Sequence, residues 1–213
     1  MAAARRPKLR GRRAGTAAVE FALVLPFLLL LMLGLYDFAR ALQAQMILVN
    51  LSREGGSLAS RSALQYTNQQ IMVALASSAP PLDMGLNGMI YITKVAGHQE
   101  GSGVRNVVIE QYRWAQGWHQ SSFSPVSAVW TCGDSGGTSW VTGGTNDGAC
   151  ANLPSAGTSS PSANVMTAQL ADGDVIYAVE SYYRFTMLLG AINFGFGLQL
   201  PQIGPNLYSL TVL

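Results

Sequence analysis

The sequence predicts an α+β protein: a long N-terminal transmembrane and amphipathic helix followed by a small antiparallel-sheet extracytoplasmic domain. Three observations carry that prediction. Residues 21–36 include no charged or strongly polar side chain. The stretches MIYITKV (89–95), VRNVVIEQYRW (104–114) and VIYAVESYYRF (175–185) are rich in β-branched and aromatic residues. Two cysteines, Cys132 and Cys150, bracket a loop dominated by Gly, Ser and Thr. The expected organisation is a basic cytoplasmic leader at 1–15, the helix at 16–62, and an extracytoplasmic domain at 63–213 with its disulfide loop at 132–150.

The helix is the element that orders the rest. Counted from Ala17, about 20 residues carry a single charge, Glu20, and a helix of that length crosses a hydrocarbon core. Leu35, Phe38, Leu42, Met46 and Val49 then recur at three- and four-residue steps among Asp37, Arg40, Gln43 and Asn50. This predicts one helix that leaves lipid and becomes amphipathic. Pro26 lacks an N–H and is expected to bend the span, a change transmembrane helices tolerate. The helix is expected to reach about Arg53 or Arg61, with Gly55-Gly56 weakening its end at about 1 kcal/mol per glycine.

Charge sets the orientation. Arg5, Arg6, Lys8, Arg10, Arg12 and Arg13 all precede the apolar run, leaving seven of the 13 Lys/Arg against eleven Asp/Glu in the remainder. A basic cluster abutting a span reads as positive-inside, which keeps the N-terminus cytoplasmic and translocates the rest. A nucleic-acid arm is the competing reading of the cations; nothing in such an arm requires an adjoining span, so no nucleic-acid partner is expected. A cleaved signal peptide is a second alternative, given the small-x-small Ala39-Arg40-Ala41. Against it, the helical periodicity runs straight through that site.

In an oxidising compartment Cys132 and Cys150 are most simply a disulfide. A metal site needs more ligands than the two histidines, His98 and His119, supply at suitable spacing, and no metal or cofactor is expected. Thr67 with Gln70 three residues on is a capping box opening a short helix through Ile71, Met72 and Leu75, stopped by Pro80-Pro81. The loop GHQEGSG is expected to join the first two strands as a long hairpin turn. Between 116 and 164 only 128–130 and 139–142 suggest short strands. In the next strand Val175, Tyr177, Val179, Tyr183, Phe185 and Met187 share one face, and Asp174, Glu180, Arg184 and Thr186 the other. Residues 188–200 are apolar and Gly-rich, too short and broken for a second span, and suit a packed loop or an apolar surface. Residues 206–213 close the sheet.

Three motifs invite a function and fail on chemistry. GDSGG at 133–137 resembles the nucleophile segment of chymotrypsin-like proteases, with Ser135 as nucleophile. That chemistry also needs a base and an orienting acid in reach. His98 lacks the expected surroundings, and neither histidine leaves chain enough before Ser135 for two barrels, so no catalytic residue is assigned. Asp172-Gly173-Asp174 reads as a turn rather than a cation loop. Tyr112, Trp114, Trp118, Tyr182 and Tyr183 read as core and isolated surface residues rather than one sugar-binding face.

Glu20 is a carboxylate at the edge of an apolar span. It is either an interfacial residue favoured by the helix N-terminal dipole or half of a charge pair. A cut after Gly15 would place a new α-amine on Thr16, and Glu20 would be the fifth mature residue. A neighbouring helix at suitable stagger would then pair its amine with this carboxylate.

The run RAGTAAVEFALVLP (13–26), with Gly34, DFAR (37–40) and NLSREG (50–55), closely resembles the TadE-like family, pseudopilins of the bacterial tight-adherence (Tad, Flp) pilus system. The resemblance covers roughly residues 13 to 60, with a weaker echo from Asp172 through Phe185; the middle of the chain has no counterpart. It implies a single-pass inner-membrane protein cut between Gly15 and Thr16 by a dedicated aspartic prepilin peptidase. Its implied partners are the membrane, that peptidase, and other Tad pilins and assembly proteins. The implied role is a non-enzymatic one, assembling or initiating the pilus; the length suits TadE or TadF better than TadG. A membrane-anchored binding module or adhesin, and more remotely a secreted serine hydrolase, are the alternatives from other classes.

Overall fold

The apolar run and its continuation form one helix, α1, Arg12–Arg61, which passes unbroken through Pro26 and through Ala39-Arg40-Ala41. The computed structural model describes residues 12–61, 66–134, 136–167, 169–188 and 206–213. The basic residues before Arg12 and the apolar stretch after Leu188 thus lie outside the described residues. Of the described residues, those up to Ala41, with Met187 and Leu188, make one compact unit, and Leu42–Thr186 with Asn206–Leu213 make the other.

In the first unit the helix is exposed almost all round from Thr16 to Phe38, including Phe21, Phe27, Leu31 and Met32. Its mean hydropathy reaches 2.5 over an 18-residue window, none of it buried. Water offers no stable environment for such a surface, whereas a bilayer does.

In the second unit α1 becomes a packing element. The side it buries carries Ala44, Leu48, Leu51, Ser52, Gly55 and Ala59, at helical three- and four-residue steps. This corrects the expected stripe: Leu35, Phe38, Leu42 and Met46 are exposed, and the small-residue side packs instead. Gly55 and Gly56 accordingly do not end the helix. A Cβ on Gly55 would lie 2.8 Å from Leu75 Cδ1 and 2.9 Å from Val179 Cγ1. Glycine here lets the helix axis approach the sheet closely, and the contact offsets the propensity cost.

The short helices follow their caps. Thr67 and Gln70 form the capping box of α2, Asn68–Ser77, which buries Ile71, Met72 and Leu75. Two further short helices are α3, Met84–Asn87, and α4, Ala115–Gln120. The strands β1, Gly88–Glu100, and β2, Gly103–Arg113, pair antiparallel through a bulge at Lys94/Val95. Both extend into the expected long loop and leave a turn of Gly101-Ser102, with Gly101 at φ +61°. A two-residue hairpin needs positive φ, and glycine supplies it without strain. A two-residue pair follows, β3, Ser139–Trp140, with β4, Cys150–Ala151. The last strands are β5, Val175–Arg184, and β6, Asn206–Val212.

The main sheet is antiparallel throughout in the order β2-β1-β5-β6. Both of its faces are covered. Ile90, Ile92 and Val179 face α1 and α2 in one apolar cluster, and Val95, Val108 and Ala178 face Val129, Ala163 and Val165 in the other. The second cover is irregular chain. Residues 128–130, expected as a strand, are a bend because their backbone bonds go elsewhere: Ala128 N donates to Glu180 and Val129 O accepts from Asn164 N. The cover also reaches the outer edge of β2, where Arg113 N donates to Gly148 O and Val108 N to Pro161 O.

Replacing Gly55 by leucine tests the close approach. Overpacking against Leu75 and Val179 is expected to cost about 1–3 kcal/mol. It will show as a lower unfolding midpoint of the full-length protein in detergent, despite leucine's better helix propensity.

Candidate functional site

Thr16 and Glu20 stand four residues apart in continuous helix and therefore on one face, both exposed. Gly15 lies one residue before Thr16 inside the same helix. At the other end of the apolar run Asp37 is fully buried, with Arg40 Nη1 3.8 Å from its carboxylate one turn later. The Arg40 guanidinium in turn lies 5.8 Å from the centre of the Tyr36 ring. In the sequence Asp37 stands between the apolar residues of the stripe, and spacing alone does not foretell its burial.

In the second unit Cys132 and Cys150 are bonded, with Cα atoms 5.9 Å apart. The bridge fastens residues 131–134 to the β3–β4 pair, since Cys150 is the first residue of β4. Ser135 lies outside the described residues. His119, on α4, meets Asp147 with Nε2 to Oδ2 at 2.8 Å, and His98 sits opposite Arg105 near the turn end of the hairpin. Asp172 and Asp174 close turns: Asp172 Oδ1 accepts from Gln99 N, and Asp174 Oδ2 from Ala171 N. The five aromatics lie on different sides of the sheet. Trp114 and Tyr182 are buried, and Trp118 stacks 3.6 Å from the Arg113 guanidinium, which Trp140 covers at 4.8 Å.

The strongest polar constellation is one that the sequence did not advertise. Glu180, on β5 under the irregular cover, is fully buried. Its carboxylate accepts from Ser127 Oγ, Ala128 N at 2.8 Å, Tyr182 Oη at 3.0 Å and Tyr208 Oη at 3.2 Å. Burying a carboxylate is tolerable only with such a set of donors. Burial raises the Tyr91 phenol to about 12, with Arg113 opposing the rise and Glu180 adding to it. Burial and the neighbouring Glu180 charge also push Tyr182 and Tyr208 up. All three phenols stay protonated: Tyr182 and Tyr208 donate to the Glu180 anion, and Tyr91 Oη donates to Pro125 O. Alternating polarity along β5 puts Glu180 on the polar side; that this side is also interior depends on residues 127–130, far away in the chain.

These features define a class: one helix apolar and long enough to cross a membrane, continuous with a small antiparallel α+β domain. The N-terminal part of the chain is TadE-like: the family model described as TadE-like protein matches residues 15–57. No curated protein and no solved structure matches the chain. The matched segment has a structural rationale at its C-terminal end. There Leu51 is buried, Ser52 Oγ reaches Ser209 Oγ at 2.8 Å and Thr211 Oγ1 at 3.0 Å, and Gly55 admits Val179.

Two stability measurements test the buried constellation. Glu180→Leu leaves several buried donors unpaired, each costing about 1–3 kcal/mol, so a loss of about 3 kcal/mol or more in chemical unfolding is expected. The phenols predict alkaline sensitivity. Tyr91 ionises near 10 when unfolded and near 12 when folded. Its contribution is therefore complete below pH 10 and lost as pH rises towards 12. Tyr91→Phe is expected to flatten the fall in stability across that window by on the order of 3 kcal/mol, read from unfolding midpoints against pH.

Proposed function

We propose that the protein is a minor pilin or pseudopilin acting in the assembly or initiation of a Tad-type pilus for adhesion, without enzymatic activity of its own. In this reading residues 1–15 are a cytoplasmic leader and α1 is a single-pass anchor in a bacterial inner membrane. The domain from residue 63 onward is periplasmic or extracellular. The observation that carries it is the TadE-like match over residues 15–57, which begins at the proposed cut and ends where α1 seats on the sheet. The positive leader and the disulfide support the orientation.

The mechanism follows from two electrostatic problems that solve each other. A prepilin peptidase cutting between Gly15 and Thr16 leaves an ammonium at the helix N-terminus, where the positive end of the helix dipole disfavours it. Glu20, one turn further in, is a carboxylate at the lipid edge and costs free energy to insert. When a second helix lies alongside with a shift of about one turn, the amine of one meets the carboxylate of the other. Both charges are then compensated in a medium of low dielectric, where the pairing is strong. The exposed Leu42 and Met46 give the same helix apolar side chains for a partner.

The two roles separate experimentally. Gly15→Leu is expected to accumulate full-length protein in the membrane, because a bulky residue blocks the close backbone approach of the peptidase while the apolar run is intact. Intact mass is the readout: wild type loses residues 1–15 and the variant retains them. Glu20→Gln keeps shape and removes charge; it is expected to insert and be cut as wild type but to lose co-purification with other pilins. A Glu20→Gln protein that assembles normally would overturn the pairing mechanism.

A further inference from the structure

We propose that the sheet domain carries a binding site for a neutral sugar, at the corner of the sheet beside Ala59 in the last turn of α1. The sheet face that α1 and α2 cover is apolar at Ile90, Ile92 and Val179 and turns polar one pair further along each strand. There β1 presents Lys94, β2 presents Glu110, and β5 presents Tyr177 opposite Lys94. These side chains, with Asn68, Tyr112 and Asp147, line a cavity of about 370 Å³, within the range of about 300–1,000 Å³ usual for small-ligand sites.

Charge selects among ligands. Lys94 Nζ lies 3.1 Å from Glu110 Oε1, and Tyr112 Oη donates to Glu110 Oε2 at 3.1 Å. Asp147 is engaged by His119 at 2.8 Å. The ion pair is thus complete without a ligand, Asp147 also feels the Arg113 charge, and a lining whose charges are already matched has no net field to draw a phosphate or a carboxylate. A cationic ligand would instead face Lys94, which already occupies Glu110 and approaches the Tyr177 ring to 5.9 Å. Glu110 holds the Lys94 ammonium above its ordinary range against the lowering effect of desolvation, so it stays charged at neutral pH.

The lining suits a hydroxyl-rich neutral molecule. Carboxylates accept from hydroxyls, a carboxamide both accepts from and donates to them, and tyrosine rings give apolar area for the C–H faces of a sugar ring. The Lys94–Glu110–Tyr112 chain fixes these groups before binding, which lowers the ordering cost. The site goes beyond the pilus reading and does not depend on it.

The test uses full-length protein in a detergent with no sugar headgroup, titrated with glucose, galactose, mannose and N-acetylglucosamine under saturation-transfer NMR. Saturable binding of at least one sugar is expected, with Kd of about 1 mM or tighter. Tyr112→Phe and Glu110→Gln are each expected to weaken it at least about fivefold, the net value of one hydrogen bond, with unfolding midpoints recorded alongside to establish folding. No saturable binding of any sugar overturns the proposal, as does binding that both variants retain. Binding of spermidine or inorganic phosphate at this cavity in place of the sugars overturns the argument from charge.

Discussion

Glu180 is a carboxylate with no exposed surface, in the middle of the sheet, on the side covered by chain that is mostly neither helix nor strand. Its four donors come from three places: the cover at Ser127 and Ala128, its own strand at Tyr182, and the C-terminal strand at Tyr208. A regular element would carry its own backbone hydrogen bonds. An irregular layer carries only some of them, such as Asn164 N to Val129 O, and its other polar groups must find partners one by one. Glu180 supplies the acceptors for the point where the cover meets the sheet, and so fixes where residues 125–130 lie.

The rest of that layer follows the same logic. Gln111, buried beside Thr93 on the neighbouring strands, donates to Trp130 O at 2.7 Å and to Ser127 Oγ. The Arg105 guanidinium donates to the carbonyls of Gly157, Thr158 and Ser160 as well as to Ser162 Oγ. Arg113 inserts between Trp118 and Trp140, and the disulfide adds a covalent tie. Side chains projecting from the sheet thus hold by hydrogen bonds and stacking what a second sheet would hold by a ladder.

The opposite face is governed by closeness rather than polarity. There α1 serves two environments with successive stretches. Its exposed side chains up to Phe38 suit lipid, and its later Ala, Ser and Gly positions let the backbone settle on the sheet. The TadE-like match ends at residue 57, just past Gly55 and Gly56. The match thus takes in both the apolar run of the helix and these close contacts.

The sequence alone determined much of this. An uninterrupted apolar run has one structural solution in lipid, and alternating β-branched stretches bounded by turn residues have few others. Helix, capping box, hairpin, long strand and closing strand were legible because each is set by neighbours within about ten residues. The resemblance around Glu20 was legible for the same reason. What only the tertiary structure decided was which side of each element is interior. The amphipathic stripe of Leu42 and Met46 faces outward, because glycine and alanine permit a nearer approach than leucine. Glu180 faces inward, because distant donors compensate it. Lys94, Glu110 and Tyr177 share one corner, because a bulge and two strand registers bring them there. Periodicity reports that a side chain belongs to a face; burial of that face is a property of the partner that covers it, and the partner is far away in the chain.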